Sequence, residues 1–182
     1  MAVIDILKED NSRRSEYDEY INTHVSNVVR TWEMQLMPVL MDEGIEQSVI
    51  NEITECVRLH DQSKWDQEEY DAYLAYFYPM DDQDKDELIE SAFDMAWLHH
   101  QKVTPHHWQY WILIRDEGKQ VPMDMPLKYV IEMLCDWQSM GYKYGDTAFD
   151  WWTNNKDKMI MSDNTRTLVD KYVKHLKKLV ED

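Results

Sequence analysis

The stretch Ser15–Pro38, SEYDEYINTHVSNVVRTWEMQLMP, decides the fold class. Tyr17, Tyr20, Ile21, Val25, Val28, Trp32 and Leu36 recur at the spacing that lines one face of an α-helix. His24 falls on the apolar face. The same period extends outward. A second helix follows Gly44, with Ile45, Val49, Ile53 and Val57 on its stripe, then His60, and ends near Asp61. Beyond Lys64 a short aromatic segment (Tyr70, Tyr73, Leu74, Phe77) closes at Pro79. The acidic run Asp81, Asp82, Asp84, Asp86, Glu87 then leads into a helix from Leu88 to His100, and reads as a solvated first turn. It is no calcium loop, since Glu87 and Phe93 stand where such a loop needs glycine and a bidentate glutamate.

A turn at Pro105 precedes the segment opening at His106, and Pro126 begins a helix reaching Met140. Another helix lies around Phe149 and Trp152. Ser162 caps the last one, with Leu168, Val169, Tyr172, Val173, Leu176 and Val180 inward and His175 outside the stripe, expected to be exposed. No run of strict alternation is bounded by turn residues. The expectation is therefore an all-α bundle of about six to eight helices, forming one domain over residues 1–182 with its C-terminal helices at about 146–180.

Composition narrows the function. Four glycines and five prolines disfavour glycine-cradled phosphate loops and turn-rich β-sandwiches. With 19 basic and 36 acidic residues, a formal charge of −17 repels a phosphate backbone, so no nucleic-acid polymer is expected as a partner. Eight tryptophans, 11 tyrosines and 12 methionines supply large apolar side chains for a core or a pocket. Cys56 and Cys135 are solitary, which gives neither a disulfide framework nor a thiolate zinc site and suits a reducing compartment. No secretory signal and no membrane-length apolar run are visible, so a cytoplasmic protein with no membrane partner is expected.

Six of the seven histidines fall in four places: His24, His60 beside Asp61, the pair His99–His100, and the pair His106–His107. One imidazole on an apolar face is usually a hydrogen-bonded core residue. Six of them at helix ends and on inward stripes would each need a separate partner in a dry core, whereas a shared metal satisfies them together. Helical angle does not choose between His99 and His100, because Leu88, Ala92, Phe93 and Ala96 point midway between them. Rival metal motifs are missing: the chain has neither His-Glu-x-x-His nor Glu-x-x-His. Cys135 reads as a small buried thiol rather than a nucleophile.

The order His24, His60-Asp61, a histidine region and then Asp136 in YVIEMLCDW resembles the HD-domain metalloprotein superfamily, and His60-Asp61-Gln62-Ser63-Lys64 resembles the HD-x-x-K extension of several phosphohydrolase groups within it. The strings HDQSKW, AWLHHQKVTPHHWQYW and EMLCDW are similar, more narrowly, to an uncharacterised family borne by phages and bacteria. The resemblance runs from about Tyr17 to Arg166, with a metal-site core at about 15–141. It implies a first metal held by His24, His60, Asp61 and Asp136, and a second held by histidines from His99 or His100 and His106 or His107. Two divalent transition ions, iron, manganese, cobalt, nickel or zinc, are thus expected. The chain departs from the cyclic-dinucleotide-cleaving members: Tyr20 stands where they carry a glutamate, and their glycine-tyrosine-proline signature is missing. Asp136 also lies off the stripe of Leu127, Val130, Ile131 and Leu134, so its helix needs to be buried on two sides.

A dinuclear centre activates water and holds a phosphoryl oxygen, so the expected activity is hydrolysis of a small phosphorylated substrate. Asp61 and Lys64 are the expected catalytic residues, with Lys64 one turn beyond His60 and placed for a phosphate oxygen. Trp108, Tyr110, Trp111 and Trp137 are available to stack a base, which points to a nucleotide. Two alternatives of other classes fit the same residues: an HD-type diiron oxygenase, and a non-enzymatic, metal-stabilised phage-type binding or inhibitory protein.

Overall fold

A computed structural model describes residues 3–80 and 87–178, with side chains from residue 11 onward. Among the described residues the chain is all-α apart from one small hairpin. Its helices are α1 (Val3–Thr31), α2 (Met37–Asp42), α3 (Gln47–Arg58), α4 (Gln67–Phe77), α5 (Glu87–Val103), α6 (Leu127–Tyr144), α7 (Ala148–Asn155) and α8 (Asp163–Tyr172). Two compact units are built from interleaved segments. The smaller takes the residues to Thr23 and Asp61–Thr104, the larger His24–His60 and the residues from Pro105.

In the larger unit the apolar stripe of α1 runs into a π-helical turn, Trp32–Leu36, before α2. Buried Val28, Trp32, Leu36 and Leu40 are spaced by four. In an α-helix each such step overshoots a full turn by about 40°, and the wider π turn absorbs the drift so that all four face one core. Helix α3 adds Ile50, Ile53 and Val57 to that core, and α8 adds Val169 and Tyr172. Ser162 caps α8 as expected, its hydroxyl accepting from the Thr165 amide at 3.2 Å. His175 is half-buried rather than exposed, because α8 ends at Tyr172 and a 3-10 turn, Val173–His175, changes the angle of the stripe. Val180 lies outside the described residues.

Helix α6 crosses the middle of this unit. Val130 through Cys135 form an unbroken buried run, so the helix is covered on more than one side, as the off-stripe position of Asp136 requires. Gly141 permits a close crossing: a Cβ there would meet the Asp146 carbonyl oxygen at 2.7 Å. The hairpin, β1 (Ile112–Ile114) and β2 (Gln120–Pro122), pairs antiparallel with Leu113 opposite Val121 and turns at Gly118, whose φ of +81° suits glycine. No alternating run in the sequence announced it, and it leaves the fold all-α as expected.

The smaller unit holds the 3-10 turn Gln62–Trp65 with α4 and α5. Its packing is aromatic: Tyr76 stacks on Phe93 at 4.0 Å, and Tyr73 meets the same ring edge-on at 5.3 Å. Leu88 and Ala92 are exposed while Ala96 and His100 are buried, so the inward stripe of α5 begins later than the apolar pattern implies. Asp81, Asp82, Asp84 and Asp86, read as a solvated first turn, lie outside the described residues.

Candidate metal centre

Three residues expected to share an ion meet in the larger unit. His24 comes from the buried face of α1, His60 from just beyond the C-terminus of α3, and Asp136 from α6. His24 Nε2 stands 3.2 Å from His60 Nε2 and 3.2 Å from Asp136 Oδ1, and His60 Nε2 lies 3.8 Å from the same oxygen. Their side chains are nearly dry, that of Asp136 being 15 % exposed.

The hydrogen-bond network assigns the tautomers. Ser139 Oγ has one hydrogen and gives it to the Asp136 carbonyl oxygen at 2.8 Å, so toward His24 Nδ1, 2.9 Å away, it accepts. On His60, Nδ1 donates to Glu132 Oε1 at 2.9 Å. Both rings therefore turn an Nε2 lone pair toward a carboxylate oxygen. Such a group of acceptors is repulsive unless positive charge sits among them, as a proton or as a metal ion. Burial raises the Asp136 pKa, but when the imidazoles carry that positive charge as protons, the hydrogen bond and charge of His24 and the charges of His60 and His106 outweigh it and hold the carboxyl well below the usual range. Donors about 2.1 Å from a metal and 90–110° apart are themselves about 3.0–3.4 Å apart, close to the spacing of this triangle. Buried His and Asp groups here can hold a metal ion.

Glu132 supports the triangle from behind. Its Oε1 accepts from His60 Nδ1 and, at 3.1 Å, from His106 Nδ1, while the Cys56 thiol donates to Oε2 at 3.0 Å. Burial would raise its pKa, yet the two imidazoles hold it down at about 2, so it accepts as a carboxylate. His60, His106 and Glu132 also lie close enough to surround an ion. Their atoms are already joined by hydrogen bonds, which makes Glu132 the carboxylate that orients the histidines. The turn bearing His106 is pinned by Trp111 Nε1 donating to the Pro105 carbonyl at 2.7 Å, and the His107 ring lies 4.3 Å from that of His106. Trp108, Trp111 and Trp137 pack against the apolar core, Trp137 stacking on Trp152 at 6.1 Å; Tyr110 is the ring of the four that is 44 % exposed.

The smaller unit holds Asp61, Lys64, His99 and His100. Asp61 adopts the left-handed backbone region with φ of 58°, which Asp tolerates better than most residues. From there Oδ1 reaches His100 Nε2 at 3.2 Å and Oδ2 reaches Lys64 Nζ at 2.6 Å. The Lys64 side chain is 13 % exposed, not a surface lysine. Glu69 clamps both neighbouring histidines, His99 Nδ1 at 2.9 Å and His100 Nδ1 at 2.8 Å, and accepts from Ser63 at 3.1 Å. Thus His100 is the inward member of its pair. Burial lowers its pKa, but Asp61 and Glu69 reverse that and leave it raised.

Glu132, Ser139 and Glu69 were not among the expected site residues. Two of them had a visible signal: Glu132 lies four residues before Asp136 and Ser139 three after it, on the same face of α6.

This all-α protein thus carries a buried His/Asp/Glu cluster able to hold a metal. Its residues 13–182 match the model of a family of unknown function, DUF5662, and the chain belongs to that family. No curated protein and no solved structure matches it.

Proposed function

We propose that this protein is a metal-dependent phosphohydrolase acting on a small phosphorylated molecule. The observation that carries the reading is the His24, His60 and Asp136 triangle, in which two fixed Nε2 atoms and one ionised carboxylate oxygen face a common point. Three protein donors leave coordination positions for water or substrate, the arrangement of catalytic rather than structural sites. Imidazole with carboxylate suits iron, manganese, cobalt, nickel or zinc, and two ions per chain is the stoichiometry proposed.

A bound ion of this kind lowers the pKa of water and polarises a phosphoryl oxygen. The chain's own residues do the rest. Ser139 and Glu132 engage Nδ1 of His24 and His60, so that Nε2 is the ring atom each presents to the common point. In the smaller unit Lys64 supplies local positive charge for a phosphate oxygen on a chain of net charge −17, and Asp61 positions that ammonium at 2.6 Å.

The test is elemental analysis of anaerobically purified protein, followed by phosphate release from nucleotides and generic phosphate esters with manganese, cobalt, nickel or iron added. About two metals per chain are expected, with phosphate release abolished in His60→Ala and in Asp61→Asn, which keeps a residue tolerant of the left-handed backbone. Phosphate release at the wild-type rate in both variants refutes the assignment. Oxygen consumption with substrate and no phosphate release replaces it with an oxygenase.

A further inference from the structure

Tyr17 on α1 and Tyr73 on α4 both belong to the smaller unit, where they are 1 % and 5 % exposed. A buried hydroxyl without a hydrogen-bond partner forfeits its hydration with nothing in return, so native proteins nearly always pair one. Neither the Tyr17 nor the Tyr73 hydroxyl has a hydrogen-bond partner among the described residues. Both feel the charges of the same two neighbours, Lys64 and Asp61, and Tyr17 feels Tyr73 as well. Lys64 Nζ lies 5.8 Å from the centre of the Tyr73 ring, and the His100 ring packs edge-on to Tyr73 at 6.2 Å.

Burial raises the pKa of both phenols far above the ordinary tyrosine value, so each keeps its hydrogen and remains a donor at every physiological pH. The Asp61 carboxylate, 2.6 Å from Lys64, offsets part of the ammonium charge, and the lysine alone is therefore a weak site for an anion. The Tyr73 hydroxyl, on the ring whose centre lies 5.8 Å from that ammonium, and the Tyr17 hydroxyl of the same unit add neutral O–H donors without adding a carboxylate. An ammonium with two hydroxyl donors, nearly dry, matches a tetrahedral oxyanion, and hydrogen bonds to a charged acceptor are the stronger kind.

We propose that Tyr17, Tyr73 and Lys64 form a subsite within the smaller unit that binds a phosphate group. Its identity as a substrate subsite rests on the phosphohydrolase reading, whereas the binding of an oxyanion there does not.

The experiment titrates inorganic phosphate into the full-length wild-type protein and into Tyr17→Phe, Tyr73→Phe and Lys64→Gln, and measures KM and kcat for whichever ester the wild type hydrolyses. Each phenylalanine variant is expected to bind phosphate roughly tenfold more weakly, one hydrogen bond to a charged group. KM is expected to rise by a similar factor with kcat changed less, and the melting temperature to hold or increase, because the substitution removes an unpaired hydroxyl and leaves the ring. Lys64→Gln is expected to weaken phosphate at least as much. Unchanged phosphate affinity in both folded phenylalanine variants, or no phosphate binding by the wild type, overturns the subsite. Weakened phosphate binding in a protein that cleaves no ester keeps the subsite and removes the hydrolase reading; unchanged binding in an active hydrolase does the reverse.

Discussion

The Ser139 hydroxyl, 2.9 Å from His24 Nδ1, passes its hydrogen to the Asp136 carbonyl and so fixes which nitrogen of His24 carries a proton. Ser139→Ala removes that acceptor and frees the ring to adopt the other tautomer. Metal affinity is expected to fall roughly ten- to a hundredfold, the usual effect of deleting a partner behind a ligand. Competition against a chelating dye reads it; an affinity equal to wild type contradicts the tautomer assignment.

Glu132 receives three hydrogen bonds, from His60, His106 and Cys56. Glu132→Gln keeps the shape but removes the charge and turns an NH2 group toward one of these donors. The metal-free protein is expected to lose about 2–4 kcal/mol, since a buried charged acceptor is being replaced by a mismatched amide. Denaturant unfolding in the presence of a chelator measures this, and a midpoint within error of wild type would show that the cluster is held by packing alone.

Acid should loosen the smaller unit through Glu69. Burial raises the pKa of this carboxyl, but hydrogen bonds from His100, His99 and Ser63 leave it lowered. A lowered folded-state pKa gives stability that is present above the ordinary glutamate value of about 4.3 and is lost as pH falls below it. His100, whose pKa is raised, works in the opposite sense, stabilising below about 6.5 and fading as pH rises through its folded value. Melting temperature against pH is therefore expected to fall on the acid side, and Glu69→Gln to flatten that fall. An equally steep acid limb in the variant contradicts the assignment.

Gly141→Ala places a Cβ 2.7 Å from the Asp146 carbonyl oxygen and 3.3 Å from its carbon, both backbone atoms. The crossing has to open. A loss of about 1–3 kcal/mol is expected, or roughly 2–4 °C in Tm per kcal/mol at this chain length. Calorimetry checks it; an unchanged Tm would mean that the segment after α6 gives way freely.

The helices and the His24, His60, Asp136 triangle were legible because each feature sets a polar group against an apolar period. His24 interrupts the stripe of α1, His60 follows that of α3, and Asp136 needed an α6 buried on more than one side, which Val130 through Cys135 provide. What escaped was written in weaker signals. The hairpin strands are three residues each, with Leu113 and Ile114 exposed at 45 % and 64 %, too short for an alternating pattern to register. Glu132 and Glu69 look like ordinary helix carboxylates until the partners opposite them are known. The π turn at Trp32–Leu36 is announced only by four apolar residues spaced by four.

Because each unit is assembled from two separate lengths of chain, the order of synthesis matters. The second length of the smaller unit is complete once Thr104 has been made, whereas Val28, Trp32, Leu36, Ile53 and Val57 must wait for α6 and α8 before they are covered. At about 5–20 residues per second that wait is on the order of ten seconds. During it the nascent chain carries a bare greasy segment on the ribosome, an exposure that the two-segment build of the larger unit entails.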